Sequence, residues 1–75
     1  MEEMLYTVSE VAKLIHSNKA YVYALINAGL LPAIKLGTYK IVKETLLNFL
    51  KQNEGMDLTD PYNVMRINLK TNKKN

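Results

Sequence analysis

The residues whose types could do chemistry are amides, phenols and amines: Asn18, Lys19, Tyr21, Tyr23 and Asn27 in one short stretch, then Lys35, Lys40 and Lys43. They can donate hydrogen bonds, stack and carry positive charge. They cannot readily break bonds. His16 is the one histidine and cysteine is absent, so neither a Cys–His pair nor a histidine-rich metal cluster can form. No glycine-rich phosphate loop and no nucleophile elbow occurs. Asp57 and Asp60 flank a proline turn without the further ligands a metal needs. His16 sits in a polar break and reads as a turn residue. The expectation is a non-enzymatic binding protein with no metal and no cofactor.

Charge is unevenly spread. Residues 19–51 carry Lys19, Lys35, Lys40, Lys43 and Lys51 against Glu44, a sum of +4, while residues 1–18 and 52–69 each sum to −2. The last six residues add Lys70, Lys73 and Lys74. A central basic block favours a polyanion; a solvated lysine-rich surface is the competing reading. The 75 residues make one domain with a modest core, and the lack of cysteine excludes disulfides. The longest apolar run is far too short to span a membrane, and the acidic start MEEMLY is unlike a signal peptide. A soluble cytoplasmic protein is expected.

These residues need elements to hold them. Thr7 and Glu10 have the spacing of a capping box. Val8, Val11, Ala12 and Ile15 then repeat at helical intervals, which predicts a first helix over residues 8–15. Asn18 is a good N-cap for a second helix over residues 19–28, whose apolar face is Val22, Leu25 and Ile26. Gly29 is placed as its left-handed stop. So short a connection suits a helix-turn-helix.

Pro32 ends any helical continuation and the chain turns extended. Residues 33–36 and 39–42 flank Gly37-Thr38, and glycine first in a two-residue loop favours a type II′ hairpin. In that register Leu36 faces Tyr39, Lys35 faces Lys40, Ile34 faces Ile41 and Ala33 faces Val42. Leu36, Tyr39, Ile34 and Ile41 would share an apolar face. The Lys35–Lys40 pair would repel across the ribbon, which is tolerable in water and suits an anion lying alongside.

Lys43-Glu44-Thr45 opens a third helix with an apolar stripe of Leu46, Leu47, Phe49 and Leu50 and a stop at Gly55. Phe49 is expected in the core. Residues 56–63 read as a turn-rich linker, residues 64–69 alternate weakly as a short strand, and the basic tail is expected to be disordered. Of the five tyrosines, Tyr39 has a core-facing slot, Tyr62 lies in the linker and Tyr6 staples the first helix. Only Tyr21 and Tyr23 remain as stacking candidates.

From Leu5 to Leu50 the chain resembles the excisionase-type helix-turn-helix family, whose fold is similar to the MerR-like winged helix. The matching residues are Thr7, Val8, Glu10, Ala12 and Leu14; then Val22, Tyr23, Leu25 and Ile26; then Gly29, Leu31, Pro32 and Ala33; then a hairpin with glycine at its tip, and Leu46, Phe49 and Leu50. The resemblance implies a mainly α fold with a small β-hairpin: helix-turn-helix, two-stranded wing and supporting third helix within residues 1–55. Residues 56–75 would follow as linker and tail. Two departures stand out. Ala24 occupies a position where the family carries arginine. The hairpin tip has Thr38, Tyr39 and Lys40 in place of several arginines, on a wing that reads one residue shorter.

The resemblance further implies duplex DNA as partner, with the second helix in the major groove and the hairpin along the backbone. The helix face opposite Val22, Leu25 and Ile26 holds Ala20, Tyr23, Ala24 and Asn27, flanked by Asn18, Lys19 and Tyr21. Asn27 suits an adenine edge, and Ala20 and Ala24 suit close approach to thymine methyls. Lys19, Lys35 and Lys40 are the expected phosphate contacts, with Thr38 at the tip and Lys43 on the flank. An excisionase, or recombination directionality factor, of a mobile element or prophage is the function implied. An integrase or recombinase and further copies of the chain on DNA are candidate partners. The alternatives are a small transcription regulator of the same fold and, from another class, a protein–protein interaction module.

Overall fold

The computed structural model describes residues 4–67. Its element order is β1 (Leu5–Thr7), α1 (Val8–Leu14), α2 (Lys19–Asn27), β2 (Ile34–Leu36), β3 (Thr38–Val42), α3 (Lys43–Gln52), β4 (Met56–Asp57) and β5 (Met65–Arg66). The three helices surround one core of Val8, Val11, Ala12, Val22, Leu25, Leu31, Ile41, Leu46 and Phe49. A three-stranded antiparallel sheet in the order β1-β3-β2 lies beside it.

Local chemistry accounts for both ends of the helix pair. Thr7 closes β1 and caps α1: its N–H donates to Glu10 Oε1 at 2.9 Å, and the Glu10 N–H donates to Thr7 Oγ1 at 3.1 Å. The helix stops at Leu14, one residue earlier than expected. There the Ser17 N–H reaches back to the Ala12 carbonyl at 2.7 Å and the His16 N–H to that of Lys13 at 3.1 Å. This paired closure needs a left-handed residue, and His16 supplies it at φ +59°. Helix α2 begins at Asn18, whose side-chain oxygen accepts from the Tyr21 N–H at 2.8 Å. It ends in the same closure, with Gly29 at φ +82° and the Leu30 N–H on the Leu25 carbonyl at 3.0 Å.

The hairpin register differs from the expectation. Ile34 faces Lys40, Lys35 faces Tyr39 and Leu36 faces Thr38, so Gly37 alone makes the connection, at φ +80°. One step of slip turns β2 over. Ile34 and Leu36 point to solvent, with Leu36 56 % exposed, and the supposed four-residue apolar face does not form. The Lys35–Lys40 pairing is absent as well. The other edge of β3 is paired too. Strand β1, which local patterning did not reveal, pairs with β3 in the register Leu5↔Val42, Tyr6↔Ile41 and Thr7↔Lys40. That makes β3 the central strand, with Ile41 fully buried and Lys40 on the opposite face.

Helix α3 follows β3 without a loop, and its Lys43 N–H donates to the Met4 carbonyl at 2.9 Å. Only Leu46 and Phe49 of its stripe are buried; Leu47 is 50 % and Leu50 41 % exposed. A helix this close to the edge of a small core has one buried row to offer, and the flanking leucines straddle its border.

Past α3 the chain turns back. Met56 pairs with Arg66 and Asp57 with Met65, and the Ile67 N–H donates to the Gly55 carbonyl at 2.9 Å. Asp57 Oδ1 accepts from the Thr59 N–H and hydroxyl at 2.9 and 2.6 Å, and Asp60 Oδ1 from the Tyr62 N–H at 3.0 Å. These aspartates are turn formers. Pro61 is buried and Leu58 packs against the core. The last two residues of the expected strand, 68 and 69, and the tail of residues 70–75, expected to be disordered, lie outside the described residues.

Candidate nucleic-acid interface

Helix α2 buries Val22 and Leu25, so by helical rotation Ala20, Ala24 and Asn27 form the strip turned away from the core. Ala20 and Asn27 are exposed and Ala24 is half-buried. Tyr21 and Tyr23, two residues apart, leave this strip on opposite flanks. Each is tied to a different part of the fold.

On one flank Tyr23 meets the wing. Its ring lies 6.2 Å from that of Tyr39, tilted by 59°. The Lys35 ammonium sits 4.8 Å from the centroid of the same Tyr39 ring. Lys35 thus spends its charge on an aromatic face that the slipped register placed opposite it, an arrangement of about 0.5–1 kcal/mol at an exposed site. Lys40 lies on the other face of the sheet and donates from Nζ to Thr38 Oγ1 at 2.8 Å.

On the other flank Tyr21 is half-buried, and its hydroxyl donates to the Leu58 carbonyl. Burial, and secondarily the negative charge of Asp57, push its phenol above the ordinary tyrosine value. Tyr21, a stacking candidate by sequence, therefore braces the C-terminal segment. Asn18 spends its side-chain oxygen on the Tyr21 N–H and leaves its amide nitrogen exposed. Lys43 is half-buried at the start of α3.

Of the predicted residues, Lys19, Tyr23 and Thr38 come together. They line a cleft of about 140 Å3 between the start of α1, α2 and the wing. Thr7, Ser9 and Tyr39 join them there. Sequence reasoning missed these three because it had assigned Thr7 to a cap and Tyr39 to the core and had given Ser9 no role. The signal that could have found them was the pairing of β1 with β3, which sets Thr7 beside Lys40. Among the described residues no group of three or more His, Cys, Asp or Glu side chains could hold a metal ion, and no helix is long and apolar enough to cross a membrane.

Fold and site together define a winged helix-turn-helix: two capped helices at a tight turn, a three-helix core and a glycine-tipped wing leaning on the second helix. A family model described as a helix-turn-helix domain matches residues 5–54, and the chain belongs to that family, which includes excisionase-type domains. Comparison with curated proteins and with solved structures gives no match. A helix-turn-helix domain of this kind points to DNA as the partner.

Proposed function

We propose that this protein binds duplex DNA as the accessory factor of a recombination reaction, an excisionase or recombination directionality factor of a mobile element. Helix α2 enters the major groove with Ala20, Ala24 and Asn27 towards the base edges. The wing follows the adjacent backbone, with Lys19, Lys40 and Lys43 on phosphates. Asn18 and Thr38 hydrogen-bond at the margins. Lys35 acts mainly through Tyr39.

The observation that carries this reading is the Tyr23–Tyr39 contact. It sets the wing beside the outward strip of α2, so that one duplex can touch both. The recombination role is supported by the resemblance of residues 5–50 to excisionase-type domains and by the chemistry of the strip. Two alanines and one asparagine supply few hydrogen bonds to bases, and no arginine adds a bidentate one. A domain of that kind docks shallowly and gains specificity from neighbouring copies on DNA or from an integrase.

Selection of bound sequences from a random duplex pool tests the DNA reading. We expect recovery of duplexes that share a short motif and compete with one another. Recovery no better than with an unrelated basic protein would overturn it. An integrase gene adjacent to this one supports the recombination role. A position beside a promoter that the protein represses, with no integrase nearby, supports the transcriptional alternative instead.

A further inference from the structure

The cleft between α1, α2 and the wing has a lining suited to one chemical group. Its polar residues are Thr7, Ser9, Lys19, Tyr23, Thr38 and Tyr39, which bring five hydroxyls, one ammonium and no carboxylate. Thr7 Oγ1 accepts from the Glu10 N–H and keeps its own hydrogen to donate. Thr38 Oγ1 accepts from Lys40 Nζ and likewise keeps its own hydrogen to donate. The nearby carboxylate of Glu10 is held on the Thr7 N–H by the capping box. A monoanion that accepts several hydrogen bonds matches this set.

We propose that the cleft seats one phosphodiester of the DNA backbone. Lys19 provides the charge, and the Ser9 and Tyr23 hydroxyls donate hydrogen bonds. This rests on the reading of duplex DNA as partner and goes further, because it divides the labour of α2. Tyr23 is a backbone-positioning residue, and reading of bases is left to Ala20, Ala24 and Asn27. Helices α1 and α2 grip the same phosphate, and Thr38 and Tyr39 of the wing close the cleft around it. The recognition helix and the wing are thereby set in register on one point of the backbone.

The full chain is titrated onto two duplexes of equal length and unrelated sequence, at several salt concentrations. The wild type is compared with Ser9→Ala, Tyr23→Phe, Lys19→Ala, the Lys19→Ala/Ser9→Ala double variant, and Lys51→Ala as a charge control on a helix that does not line the cleft. Thermal melts verify folding; Ser9 and Lys19 are exposed and Tyr23→Phe keeps the ring, so unchanged melting is expected. Ser9→Ala and Tyr23→Phe each weaken binding by about tenfold, equally on both duplexes, as loss of a hydrogen bond to a charged group does. Lys19→Ala lowers the slope of log affinity against log salt by about one. The double variant loses less than the product of the single losses, because both residues hold one phosphate.

If the wild type binds both duplexes but Ser9→Ala and Tyr23→Phe stay within about twofold of it, the phosphate seat is overturned while the DNA reading stands. Losses that differ between the two duplexes overturn the seat by making Tyr23 a reader of bases. A wild type that binds neither duplex overturns both.

Discussion

The hydroxyl of Tyr21, on the recognition helix, donates to the carbonyl of Leu58, 37 residues further along the chain. The bond ties α2 to a segment beyond the family's matched span of residues 5–54. Leu58 packs against the core, and Pro61 in the same segment is buried. Replacing Tyr21 by Phe keeps the ring and removes the donor. It should cost about 0.5–1.5 kcal/mol, measured by urea unfolding, with the slope unchanged.

The same tyrosine makes stability depend on alkaline pH. Its folded pKa lies above the ordinary value of 10.0, through burial and then through Asp57. The neutral phenol is therefore favoured in the fold. The contribution is fully present below the unfolded pKa and is lost as pH rises through the folded one. Unfolding free energy should fall in that window in the wild type and fall less in Tyr21→Phe; parallel pH profiles of the two would contradict this.

His16 stands at φ +59° in the turn between α1 and α2, a conformation that side chains with a Cβ resist. His16→Gly should stabilise by about 1 kcal/mol, a rise of roughly 4–8 °C in melting temperature for a domain of this size. Gly29→Ala should do the reverse. Nothing lies within 4 Å of the Cβ it would gain, so the loss would come from its φ of +82° alone. A thermal melt of each variant checks both signs.

Lys35 and Lys40 should respond differently to substitution. Lys40→Ala should weaken duplex binding on all sequences and lower the salt slope by about one. Lys35→Ala removes a cation from the Tyr39 ring and should act on wing packing, with a smaller change in slope. Salt titrations of the two variants, run together, separate a phosphate contact from a brace.

These contrasts mark what the sequence made legible. The capping box at Thr7, the cap at Asn18 and the stop at Gly29 are set by neighbours three or four residues away, and local pattern found each of them. The wing register was not local. A two-residue glycine turn satisfies the local pattern as well as the one-residue connection does, and no local pattern showed β1 on the other edge of β3. The candidate site divides the same way. Its helix face followed from the spacing of Val22 and Leu25. The parting of Tyr21 and Tyr23 to opposite flanks depends on Leu58 and Tyr39, which no window around α2 contains.

The most direct test of the central claim is an amide-resolved titration of the full chain with duplex DNA. The account predicts shifts concentrated on residues 18–28 and 35–43, with binding that weakens steeply as salt rises. Shifts gathered on residues 56–67 and indifferent to salt would contradict it, and would make this fold a module for binding protein.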